Sequence, residues 1–159
     1  FKEWWVYGKR HREDGPAVVV STGYKEWYKD GKLHREDSPA VEKVDGTKEW
    51  YINGKLHRED GPALILPNKI KYYYQHGKLH REDGPAYEHP NGLKEWWVAG
   101  QLHRDDGPAI EYSDGRKYWW MNGKKYTEEE FNHWLSKKQL NERLTEQLEV
   151  KPTAKKVKI

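Results

Sequence analysis

The chain has 159 residues, no cysteine and a formal net charge of +3. That length suits about one domain with an ordinary core, and zero cysteine excludes a disulfide scaffold, a thiolate zinc site and a cysteine nucleophile. Residues 1–123 carry 20 basic and 20 acidic side chains, so the whole excess lies in residues 124–159, and the body lacks the basic imbalance of nucleic-acid binders. No run approaches the ~18 apolar residues of a membrane span, so no membrane association is expected. The chain opens at Phe1 with no visible signal peptide, which reads as a start inside a longer protein. Charged and hydrophobic residues each make up 35%, a balance that alone points to disorder. The 9 Trp and 11 Tyr oppose that reading, because each joins a large apolar area to a polar handle.

In chain order, one unit recurs at a step of 23 residues without insertion. A first aromatic column runs through Trp4, Trp27, Trp50, Tyr73, Trp96 and Trp119. A second runs through Trp5, Tyr28, Tyr51, Tyr74, Trp97 and Trp120. Within a unit, Lys48–Ile52 predicts a strand, since aromatic and β-branched residues favour pleated surfaces. Asn53-Gly54 predicts a tight turn. The heptad His-Arg-Glu/Asp-Asp-Gly/Ser-Pro-Ala then starts at His11, His34, His57, His80 and His103, with its second acid at Asp14, Asp37, Asp60, Asp83 and Asp106. Its proline lacks an N–H donor and breaks the ladder. A second short strand follows, as at Ala109–Tyr112, and Asp-Gly or Asn-Gly turns the chain back; Asn68-Lys69 departs from this pattern and predicts a less regular turn. The expected fold is all-β: an elongated antiparallel meander with one hairpin per repeat over residues 1–126. Adjacent strand residues face opposite ways, so the two aromatic columns are expected on opposite faces. Val18, Val41, Leu64, Tyr87 and Ile110 are expected on the core side.

The sixth copy is broken, with Tyr126 in place of histidine. Thr127-Glu128-Glu129-Glu130 has the form of a capping box and starts a helix. Phe131, Trp134, Leu135, Leu140, Leu144 and Leu148 form its apolar stripe. This predicts a helical cap over residues 127–150, ended by Pro152 and followed by a basic tail, 151–159. The first half of the helix is expected to cover the last hairpin. The second half is expected to project toward a partner or a sister chain, because its leucines lie on a charged background.

The 23-residue step, the Trp/Tyr-rich strand, the Asn-Gly-Lys-x-His turn and the Asp-Gly turn resemble MORN-type repeats, and in particular their divergent MORN-like variants, including those in bacterial antitoxin-like proteins. Copies of the form Gly-Lys-Leu-His-Arg-Glu-Asp-Gly-Pro-Ala are similar to repeat proteins of large DNA phages and giant viruses. The resemblance covers residues 1–126. It departs where Arg58–Ala63 replaces the usual Gly-x-Gly after the histidine, and where the aromatic strand is shorter. It implies a β-hairpin array used as a binding platform or spacer and, for a viral chain, a host or viral partner met in the host cytoplasm.

Five copies of His-Arg-Glu-Asp also invite a metal or acid–base reading. Two strands per repeat at ~4.8 Å each place equivalent histidines roughly 10 Å apart, whereas zinc takes its ligands at about 2.0–2.1 Å. A structural ladder is the simpler account: Arg58 pairs with Asp60 or with a carboxylate in the neighbouring copy, and the histidine donates to a backbone carbonyl. His103-Arg104-Asp105 spells the start of a kinase catalytic loop, but no phosphate loop or metal-binding Asp-Phe-Gly accompanies it. No catalytic residue, metal or cofactor is expected. The expected role is a non-enzymatic platform that binds a protein through its aromatic columns. The alternatives are a nucleotide or single-stranded nucleic-acid binder that stacks bases on the aromatics, and a self-assembling spacer joined through the C-terminal helix or the N-terminal edge. The cysteine-free composition suits a reducing compartment, so the expected location is the cytoplasm.

Overall fold

The computed structural model describes residues 1–149; the expected helix stop at Pro152 and the basic tail lie outside them. The architecture is an antiparallel meander of hairpin repeats closed by one C-terminal helix, Glu128–Glu149. Twelve strands, two from each unit, form one continuous sheet in chain order. Between them, five short hairpins form two-stranded ribbons, for example Tyr51–Ile52 with Lys55–Leu56.

Lys48–Ile52 is therefore not one strand. Lys48–Glu49 belongs to the long sheet and Tyr51–Ile52 to the ribbon, with the break at Trp50. The reason lies on the returning chain. The Trp50 N–H donates to Ala63 O at 2.8 Å, while the Trp50 carbonyl accepts the His57 N–H at 3.0 Å. The residues between those partners, Arg58–Pro62, have no place in the ladder and bulge out over the tryptophan. The last unit lacks this bulge: Trp119 pairs directly with Tyr126, and Lys117–Met121 runs unbroken.

Register assigns the faces of the long sheet. Lys25 lies opposite Val19 and Glu42, and Lys94 opposite Glu88 and Glu111, giving a lysine–glutamate ladder interrupted by Val19 and Ile65. The other face sets Glu3 and Glu26 opposite Val18, and Glu26 and Glu49 opposite Val41. Val18 and Val41 are buried, whereas Leu64, Tyr87 and Ile110 are half-buried. The most enclosed column is smaller: Ala17, Ala40, Ala63, Ala86 and Ala109 have no exposed surface.

The turn at Asn68-Lys69 is as regular as its relatives. Leu66 N–H donates to Ile70 O at 3.0 Å and Lys69 N–H to Leu66 O at 2.9 Å, matching the bonds at Lys43–Thr47. Lys69 adopts the left-handed conformation (φ 64°) that glycine takes elsewhere, so the bonding pattern overrides the local preference.

The helix opens with a reciprocal capping box. Thr127 N–H donates to Glu130 Oε2 at 2.8 Å, and Glu130 N–H donates to Thr127 Oγ1 at 3.2 Å. Phe131 is 1% exposed against the final hairpin, Trp134 and Leu135 are half-buried, and Leu140, Leu144 and Leu148 are 57%, 49% and 70% exposed.

Candidate functional site

The first aromatic column is roofed by the bulges. The guanidinium carbons of Arg12, Arg35, Arg58, Arg81 and Arg104 lie 4.1, 4.0, 4.4, 4.1 and 4.0 Å from the ring centroids of Trp4, Trp27, Trp50, Tyr73 and Trp96. Each stack is a cation–π contact made inside one repeat. Arg104 shows the full set of bonds: Nε donates to Asp106 at 2.6 Å, and Nη1 donates to Pro108 O at 3.2 Å and to Glu111 at 2.9 Å. The same fork holds Arg12 to Asp14, Arg58 to Asp60 and Arg81 to Asp83 at 2.8–2.9 Å. These guanidinium groups hold Asp14, Asp60 and Asp83 below the usual carboxylate range.

Glycine in four of the bulges lies close against the stacked guanidinium. A Cβ at Gly84 would stand 3.1 Å from Arg81 Cζ. The second repeat supplies the contrast, because Ser38 occupies that position. Arg35 still covers Trp27 and donates to Pro39 O at 3.2 Å, but among the described residues it makes no ion pair with Asp37.

The histidines act between repeats. The backbone N–H groups of Asp30, Asn53, His76, Ala99 and Asn122 donate to Nδ1 of His11, His34, His57, His80 and His103 at 3.1–3.2 Å. An N–H can only donate, so Nδ1 carries the lone pair and the ring proton sits on Nε2. The expected donation from histidine to a backbone carbonyl is thus reversed: the imidazole is the acceptor. In the first four repeats Nε2 faces the glutamate two residues on, at 3.6–3.8 Å. Each clasped residue takes the first left-handed position of the next hairpin turn, with φ between 49° and 52°. Two backbone bonds reinforce each seam; Gly77 N–H donates to Leu56 O at 2.8 Å and Arg58 N–H to Tyr74 O at 3.1 Å. No group of three or more His, Asp or Glu side chains among the described residues is arranged to hold a metal ion.

The second aromatic column lies with the glutamate face. Tyr51 donates its hydroxyl to Glu49 at 3.0 Å, and Trp97 donates its indole N–H to Glu95 at 2.9 Å. Cross-strand partners on the ribbons are leucines: Tyr28 with Leu33, Tyr51 with Leu56, Tyr74 with Leu79, and Trp97 with Leu102. All eight are half-buried, and together they form one strip along the array. Trp5, at its start, is 54% exposed. At the other end Tyr118 stands where the glutamate would be, and the buried Trp120 indole N–H has no partner among the described residues.

Burial, aided by the charge of Glu49, pushes the Tyr51 phenol up to about 12. A phenol raised above its ordinary value of ~10 contributes stability that is complete below that value and lost as pH rises through the folded one. Phenolate absorbance, compared between the native chain and Tyr51→Phe, is expected to isolate an ionisation about two pH units later than that of free tyrosine; a difference centred near pH ~10 would contradict it.

The helix is tied to the last bulge by Lys138, whose ammonium lies 2.5 Å from Asp105 Oδ2 and lowers that carboxyl below its ordinary value. Three features of the site were outside the sequence reading: the glutamates that hold the second column, the alanines under the bulge, and the residue 19 positions after each histidine. The alanines and the clasped positions keep the 23-residue step throughout and the glutamates keep it at four of six positions, so the signal was available, but the clasped residues meet their histidines across a repeat boundary. No helix among the described residues is long and apolar enough to cross a membrane. No protein-family model matches the chain, and no curated protein is significantly similar to it.

Proposed function

We propose that the chain is a non-enzymatic repeat scaffold that binds a protein partner through the strip formed by the second aromatic column and its leucines. The observation that carries this reading is the continuity of that strip from Tyr28 to Leu102. Tyr51 and Trp97 are held by glutamates, all four rings pair with leucines and remain half-exposed, and the first column is stacked under arginine. Contiguous amphipathic aromatic surface of this kind is what protein interfaces use. A cytoplasmic setting, with a host or viral partner, belongs to the same proposal.

A second reading, assembly between copies, draws on the exposed Leu140, Leu144 and Leu148. One experiment separates the two. A photo-crosslinking residue is placed on the strip at Tyr74 or Leu79, and on the charged face at Lys71 or Lys94. The expected result in lysate is capture of one distinct protein from the strip positions alone. Equal capture from both faces, or capture of nucleic acid, would overturn the proposal. Capture of the chain itself, abolished by truncation after Ser136, would establish self-assembly instead.

A further inference from the structure

The five histidine clasps are not equivalent, and the difference lies in what a proton on Nδ1 would meet. At the first seam Asp30 Oδ1 stands 3.1 Å from His11 Nδ1, and at the second Asn53 Oδ1 stands 3.2 Å from His34 Nδ1. Each can accept an N–H from a protonated ring, so those seams keep a bond in acid. The other three seams show no such contact among the described residues, and only the third sets a second imidazole beside the ring. His76 gives its backbone N–H to His57 Nδ1 at 3.1 Å, and the two rings lie 4.5 Å apart, tilted by 36°.

We propose that this third seam, between the ribbon Tyr51–Leu56 and the ribbon Tyr74–Gln75 with Lys78–Leu79, is an acid-triggered hinge in the middle of the array. Protonation of His57 turns the Nδ1 acceptor into a donor that faces another donor, and protonation of His76 sets two cations ring to ring. Charged groups surround the pair. Glu59 lies 3.8 Å from His57 Nε2, and Glu36, Asp37, Asp60 and the stacked Arg58 line the same cleft. From the preceding hairpin, Lys55 lays its stem against Gly77, beside His76. The array on either side keeps its sheet bonds, because the long-sheet ladder involves no imidazole. Opening is therefore local to the ribbons, and it bends the strip that runs across them.

Imidazole side chains change charge between about pH 5 and 8, which sets the range of the test. Amide exchange of the full chain is followed by NMR at pH ~7.5 and pH ~5.5, with each rate divided by the intrinsic rate at that pH. The amide of His76 is expected to lose at least about tenfold more protection than that of Asn53. His76→Asn keeps a left-handed turn residue, removes the second cation and supplies an amide oxygen like that of Asn53. It is expected to abolish the excess loss. Equal losses at His76 and Asn53, an excess that persists in His76→Asn, or simultaneous loss at the sheet amide of Ala40 would each overturn the hinge.

Discussion

Phe131→Ala is expected to destabilise the protein by about 3–5 kcal/mol, the usual range for emptying a buried phenylalanine site. Phe131 is the largest fully buried side chain among the described residues. Its neighbours cannot substitute for it. Trp134 is only half-buried, with its ring 5.8 Å from that of Phe131, and the leucines beyond face solvent. Without that ring the helix retains its capping box and the Lys138–Asp105 pair, both exposed contacts of small net value. Far-UV circular dichroism during urea unfolding should then show the helix leaving before the sheet. The final hairpin, with Trp119 and Trp120, would lie open and prone to association. A loss under about 1 kcal/mol with one unchanged transition would show that the cap is held elsewhere.

Arg104→Ala is expected to cost about 2–3 kcal/mol, from a stacked cation and charge-assisted hydrogen bonds lost together. The guanidinium covers Trp96, braces the Pro108 carbonyl and bridges Asp106 to Glu111. Lysine should recover less than half of the loss, because one ammonium cannot lie flat on an indole and donate in three directions. Urea unfolding followed by tryptophan fluorescence measures both variants. Full rescue by lysine would reduce the site to a simple point charge.

Much of the fold was legible because it is written in local chemistry repeated at a fixed step. Asn53-Gly54 needs only its own dihedral angles to make a hairpin, and Thr127 and Glu130 cap each other within one turn. The break at Trp50 was not legible. Lys48–Ile52 alternates like an unbroken strand, and the deciding fact is a surplus of residues on the returning chain between His57 and Ala63. The direction of the histidine bond was hidden for a related reason. Nothing near His57 in sequence reveals that a backbone N–H from His76 approaches its ring. Of the two partners expected for Arg58, Asp60, two residues away, is the one present, at 2.8 Å. For the aromatic columns, sequence supplied the alternation. Which column would be roofed depended on the path of Arg58–Pro62 over the sheet.

Each ribbon is fastened to the one before and the one after it by two backbone bonds and an imidazole, and the long-sheet strands pair only with their neighbours in chain order. The described array has no core shared by distant repeats, since its enclosed column consists of single alanines. Pulled from its ends, such a chain has no single point at which everything fails together. It should yield one hairpin at a time, each release paying out 23 residues, or about 76–83 Å of extended chain. Under load such an array should lengthen in even steps, one repeat at a time.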